Sequence, residues 1–94
     1  MPEIRFQIQW PDGAEALCYS PSLVVKEYFE PGKTYDLADF VARSQAALQI
    51  ASDRVLAKYG SPCSLALGQL RQIEATASQY QQLADPKVRV VQFR

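Results

Sequence analysis

Glu3-Ile4-Arg5-Phe6-Gln7-Ile8-Gln9-Trp10 alternates polar and apolar side chains without a break, and Pro11-Asp12-Gly13 follows directly. A period of two puts Ile4, Phe6, Ile8 and Trp10 on one face of a strand and Arg5, Gln7 and Gln9 on the other, the pattern of a half-buried strand. Proline fixes φ and glycine accepts positive φ, so residues 11–13 turn the chain, and Ala14 to Tyr19 returns as a second short extended run. The first 19 residues read as a hairpin, and a hairpin alone is not stable in water.

The rest of the chain supplies the cover. Ser20-Pro21-Ser22 breaks the pattern in an order that suits a helix N-cap followed by proline. Residues 23–29 fit either a short helix or a strand, because Val24 and Val25 are β-branched, and Glu30-Pro31-Gly32-Lys33 is a turn. From Asp36, a candidate N-cap, the period becomes 3.6: Leu37, Phe40, Val41, Ser44, Ala47, Leu48, Ala51, Val55 and Tyr59 share a stripe, and Gly60 ends the helix. Ser61-Pro62 repeats the cap-then-proline signal and opens a second helix with Ala66, Leu70, Ile73, Ala77 and Tyr80 on one face. The short link makes the two helices antiparallel neighbours. Asp85-Pro86 stops the second helix, and residues 87–93, rich in Val, form a closing strand. The expected fold is α+β: a small, mainly antiparallel three-stranded sheet (the hairpin plus the closing strand) packed on two antiparallel helices and a short helix or turn, in one domain over residues 1–94.

Composition removes several classes of function. Ten Lys/Arg balance ten Asp/Glu, so the basic footprint of a nucleic-acid binder is missing. There is no His, which excludes Ser-His-Asp triads, Cys-His dyads and His-ligated zinc within one chain. Two Cys 45 residues apart make neither a disulfide scaffold nor a four-thiolate metal site, and they read as cytosolic thiols. No basic start followed by an apolar run opens the sequence, and nowhere do about 18 apolar residues run together. A cytoplasmic protein without membrane contact is expected.

Two groups of residues are candidates for function. Cys18, Ser20 and Ser22 lie at one Ser-Pro junction, and Cys63 and Ser64 at the other. A thiol in the first turn of a helix feels the positive end of the dipole, which favours the thiolate, and helix N-termini also bind anions. These residues form a candidate thiol or small-ligand site, although burial as small hydrophobes and simple capping account for them as well. The second group lies on the first long helix. Ala46 and Ile50 project off the main apolar stripe beside Arg43 and Arg54, and Leu65 and Leu67 lie off the main face of the second helix. A second apolar strip on an amphipathic helix suggests contact with another chain. Asp39 and Arg43 form an i,i+4 pair, and no pair of acids has the spacing of an acid/base couple. No catalytic residue, metal or cofactor is assigned.

Met1-Pro2-Glu3 with Arg5-Phe6, Trp10-Pro11-Asp12-Gly13, Cys18-Tyr19-Ser20-Pro21-Ser22 with Val24-Val25-Lys26, Pro31-Gly32, Phe40-Val41 with Arg43, Ala51-Ser52 with Arg54-Val55, Ala57-Lys58-Tyr59-Gly60 and Cys63-Ser64 together resemble a small bacterial family of nitrogen-starvation-response proteins. Its members are encoded in gene clusters centred on a nitrilase of the carbon–nitrogen hydrolase type. The resemblance spans almost the whole chain. It implies expression under nitrogen limitation and a link to the use of nitrile or cyanide nitrogen, and it implies no reaction. The expected role is that of a non-enzymatic accessory protein whose partner is a second copy of itself or another product of the cluster.

Overall fold

The computed structural model describes residues 2–94 as β1 (Ile4–Gln9), β2 (Glu15–Ser20), α1 (Val25–Tyr28), β3 (Thr34–Asp36), α2 (Leu37–Tyr59), α3 (Ser64–Ala77), a 3-10 turn (Ser78–Tyr80) and β4 (Lys87–Phe93). The architecture is α+β, with four strands in the order β2-β1-β4-β3 instead of the expected three, and each neighbouring pair is antiparallel. The additional strand, β3, buries Tyr35 between exposed Thr34 and Asp36 and pairs with Arg89, Val88 and Lys87. Asp36 stands at the N-cap of α2 as expected, but its carboxylate pairs with Lys87 and caps nothing.

The hairpin closes as its sequence requires. Gly13 takes φ +90, its N–H donates to the Trp10 carbonyl (2.9 Å), and the Ala14 N–H donates to Asp12 Oδ1 (2.9 Å). That bond, and then one from the Tyr80 hydroxyl, lowers the Asp12 carboxyl below its ordinary value. Between β1 and β4 the register slips: Gln7 faces Gln92 and Ile8 faces Val90, so Val91 is the extra residue of a bulge.

One face of the sheet carries the core. Ile4, Phe6 and Ile8 of β1, Cys18 of β2, Val88 and Val90 of β4 and Tyr35 of β3 are buried against Val25, Phe29, Leu37, Phe40, Leu48 and Ile73 from the helical side. Aromatic rings link the layers: Phe29 lies 5.8 Å from Phe6, 5.3 Å from Tyr35 and 5.3 Å from Phe40, while Trp10 meets Phe40 at 5.7 Å and Tyr80 at 5.6 Å. Such ring pairs each contribute about 0.5–1.5 kcal/mol beyond their burial.

Residues 23–29 resolve to a single helical turn followed by extended backbone at Phe29. Helix α2 ends where the sequence places its end, with Gly60 at φ +83 and its N–H on the Leu56 carbonyl (2.8 Å). Helix α3 starts later than its Ser-Pro signal, at Ser64, and Ser61-Pro62 belong to the connection. The molecule measures 43 × 23 × 17 Å, and the 23-residue α2, about 34 Å long at 1.5 Å per residue, accounts for much of the long dimension.

Candidate functional site

The junction after β2 is built from serine hydroxyls. Cys18 faces the core opposite Phe6, and burial pushes its thiol up to about 12. Ser20, also buried, donates its hydroxyl to the Ser22 carbonyl (2.7 Å) and accepts the Ser22 N–H (3.3 Å). The Ser22 hydroxyl accepts the Val24 N–H (3.3 Å) and an N–H of the Arg54 guanidinium (3.0 Å). The expected cap-then-proline start at Ser20-Pro21 is therefore displaced. Ser20 ties the bend, Ser22 takes the N–H of the incoming turn, and the one-turn α1 begins only at Val25.

At the second junction Cys63 is the N-cap residue of α3, half-buried and without a side-chain capping bond. Its own N–H donates to the hydroxyl of buried Ser52 on α2 (3.2 Å), so a serine of the preceding helix fastens the connection. Burial first, and then a hydrogen bond to the Glu3 carboxylate and its charge, raise the Tyr19 phenol. Both cysteines are free. Cys18 borders a hollow of about 80 Å³ with Trp10, Leu17, Gln69 and Ile73, and Ser64 borders a different one with Tyr19, Leu65 and Gly68. The two thiols share neither.

On α2 the four residues Arg43, Ala46, Ile50 and Arg54 lie together, with Ala46 and Ile50 half-buried. The arginines are both engaged within the chain. Arg43 donates from Nε to Asp39 Oδ2 (3.0 Å) and from an Nη to the Tyr28 carbonyl (2.8 Å), with its guanidinium 5.1 Å from the Tyr35 ring centre. The bond to Asp39 raises the Arg43 pKa. Arg54 holds Ser22. The stripe thus fastens the segment between β2 and β3 onto α2.

Two further features lie at the ends of α2. Ser52 is the last buried residue of α2, and the two turns beyond it expose Leu56 (44%) and Tyr59 (61%), joined across the connection by Leu65 (67%). Periodicity assigned Tyr59 to the core stripe, but the helix has run past the sheet by that point and nothing remains there to cover the ring. Leu65, off the main face of α3, was the one signal of this tip. At the other end of α2, Leu37, Ala38, Val41 and Gln45 border a groove of about 510 Å³ closed by Gln81, Asp85 and Pro86. Asp85 there adopts φ 52, and Lys87 bridges Asp36 and Asp85 (3.2 Å to the latter), which raises the Lys87 pKa. Among the described residues no three His, Cys, Asp or Glu side chains converge as metal ligands would, and no helix is long and apolar enough to cross a membrane.

A family model described as nitrogen starvation-induced protein NitG matches residues 5–93. No curated protein and no solved structure matches the chain.

Proposed function

The chain belongs to the NitG family of nitrogen starvation-induced proteins, and from that premise we propose that it is a cytoplasmic, non-enzymatic accessory protein that docks another protein on the tip of its α2–α3 hairpin. The observation that carries this reading is the tip itself. Leu56, Tyr59 and Leu65 are the large exposed apolar side chains of a projection that contributes no buried residue after Ser52 until Ala66. Exposed apolar side chains gathered on one projection are the usual mark of a contact surface. The resemblance to proteins encoded beside a nitrilase makes the other products of such a cluster the first partners to try. A thiol or small-ligand site between Cys18 and Cys63 finds less support, because the two thiols border no common hollow and burial holds Cys18 protonated, whereas a thiolate is the nucleophile.

The test is affinity capture from nitrogen-starved cells with the wild-type chain, with Tyr59→Glu/Leu65→Glu and with Cys18→Ser. A product of the cluster retained by the wild type and by Cys18→Ser, but lost by the tip variant at unchanged thermal stability, is the expected result. Retention of the same proteins by the tip variant would sink the reading.

A further inference from the structure

The sheet leaves two edges, the three-residue β3 and the six-residue β2. On β2 the Tyr19 N–H points away from β1 and donates to Gln69 Oε1 of α3 (3.0 Å). Backbone groups alternate direction along an antiparallel strand, so Glu15 and Leu17 point their N–H and C=O the same way, and no strand of the described residues pairs there. Unpaired edges of this kind are templates for another strand. Leu17, at the middle of the edge, is 48% exposed.

We propose that β2 pairs antiparallel with β2 of a second copy of this chain about a two-fold axis at Leu17, joining the two sheets into one. The strand is self-complementary in that register. Leu17 meets Leu17, Glu15 meets Tyr19, and the three outward-facing residues of each copy all find partners. The charges agree as well. The Arg5 guanidinium lies 5.5 Å from the Tyr19 ring centre, so pairing brings the Glu15 carboxylate of each copy toward an Arg5 of the other, twice per dimer, where it competes with Glu3, 3.5 Å from that guanidinium. Within one chain the Arg5 guanidinium has exposed Glu3 and the Tyr19 ring, and the Glu15 carboxylate accepts from the Gln7 amide. On pairing, the Tyr19 N–H leaves the Gln69 amide oxygen for the Glu15 carbonyl of the second copy.

Helix α3 carries an independent sign. Gly68 lies inside this 14-residue helix and borders the same hollow as Tyr19, beside the edge. Glycine there costs about 1 kcal/mol against alanine, and a Cβ would meet nothing within 4 Å. The chain's own packing gives no reason for a glycine, whereas the close passage of α3 from a second copy does. Leu65 borders this hollow as well as the hairpin tip, so the dimer is read at Leu17, which belongs to the strand edge alone.

Sedimentation equilibrium of the full chain over a range of concentrations tests the association, and disulfide trapping tests the register. Facing residues of a hydrogen-bonded antiparallel pair have Cα atoms about 5.5 Å apart, within disulfide range. In a Cys63→Ser background, Leu17→Cys is expected to form a covalent dimer under mild oxidation much faster than Leu83→Cys, a comparably exposed site (49%). Gly68→Leu is expected to stay folded by circular dichroism and to weaken the dimer by at least about tenfold, and Gln69→Ala, which removes the competing acceptor, to leave it as tight or tighter. A chain that stays monomeric at every concentration, or Leu17→Cys and Leu83→Cys crosslinking at equal rates, overturns the proposal.

Discussion

Arg54 and Ser22 lie 32 positions apart, and their hydrogen bond fixes the path of the chain between the sheet and the helical layer. A bond from a charged donor to a buried hydroxyl contributes more than a neutral one, roughly 1.5–3 kcal/mol for a well-formed example. Arg54 is largely exposed, which sets its contribution near or below the bottom of that range. Arg54→Ala is expected to lower stability by about 1 kcal/mol in urea denaturation, and Arg54→Lys, which lacks the fork, to recover only part of it. Cys18 gives a sharper test. The unfolded thiol releases its proton near pH 9.0 and the folded one near 12, so its contribution is complete below pH 9 and is lost as the pH rises toward 12. The slope is about 1.4 kcal/mol per pH unit. Between pH 9 and 11 the wild type should lose stability more steeply than Cys18→Ala, because Tyr19, Tyr80 and Lys87, whose pKa values are also raised, act equally in both. Parallel curves would show that the thiol is not sequestered. Sequence locates the residues of both junctions but not their roles. A serine reads as a cap for its own helix, whereas Ser22 and Ser52 here receive N–H groups from distant or later segments.

Among the elements, those with a long period are the ones legible from sequence alone. Both strands of the hairpin, the full span of α2 and the closing strand 87–93 follow from alternation or a 3.6-residue stripe, because each presents several apolar residues to the same layer. Strand β3 has a single inward residue, Tyr35, and one residue has no period. Its strand character comes from β4, whose Val88 faces it, and from the Glu30 N–H donated to the Tyr35 hydroxyl (2.8 Å). The tip of α2 is the converse case: the periodic pattern continues through Val55 and Tyr59, but the layer beneath it does not. Two outcomes separate these regions. Gly60→Ala puts a Cβ on backbone at φ +83 and is expected to cost about 1 kcal/mol, whereas Leu56→Ser and Tyr59→Ser should leave the denaturation midpoint within about 0.5 kcal/mol of wild type. A large loss at Tyr59 would mean that the ring is covered within the chain.

At the scale of the whole molecule, sheet order governs cooperativity. β4 runs between β1 and β3, and Val88 and Val90 are fully buried on it. The Val90 N–H donates to the Lys33 carbonyl (3.0 Å) and its own carbonyl accepts the Gly32 N–H (2.7 Å). Val90→Pro removes a donor from the interior of a sheet and is expected to abolish the cooperative thermal transition, where Val91→Pro, at the bulge, lowers it by less. Loss confined to β3, with the hairpin still protected in hydrogen exchange, would show the two halves to be separable. The α+β class was legible because the hairpin and the helices each carry a full apolar face, but the strand order was not, since no local pattern states which edge a strand joins. That order has a consequence for synthesis. Gln7 and Gln92, bonded across neighbouring strands, are 85 residues apart, so a nascent hairpin leaves the ribosome with one backbone edge of β1 unpaired until β4 follows. That open edge makes the growing chain, more than the finished protein, the form exposed to pairing with other strands.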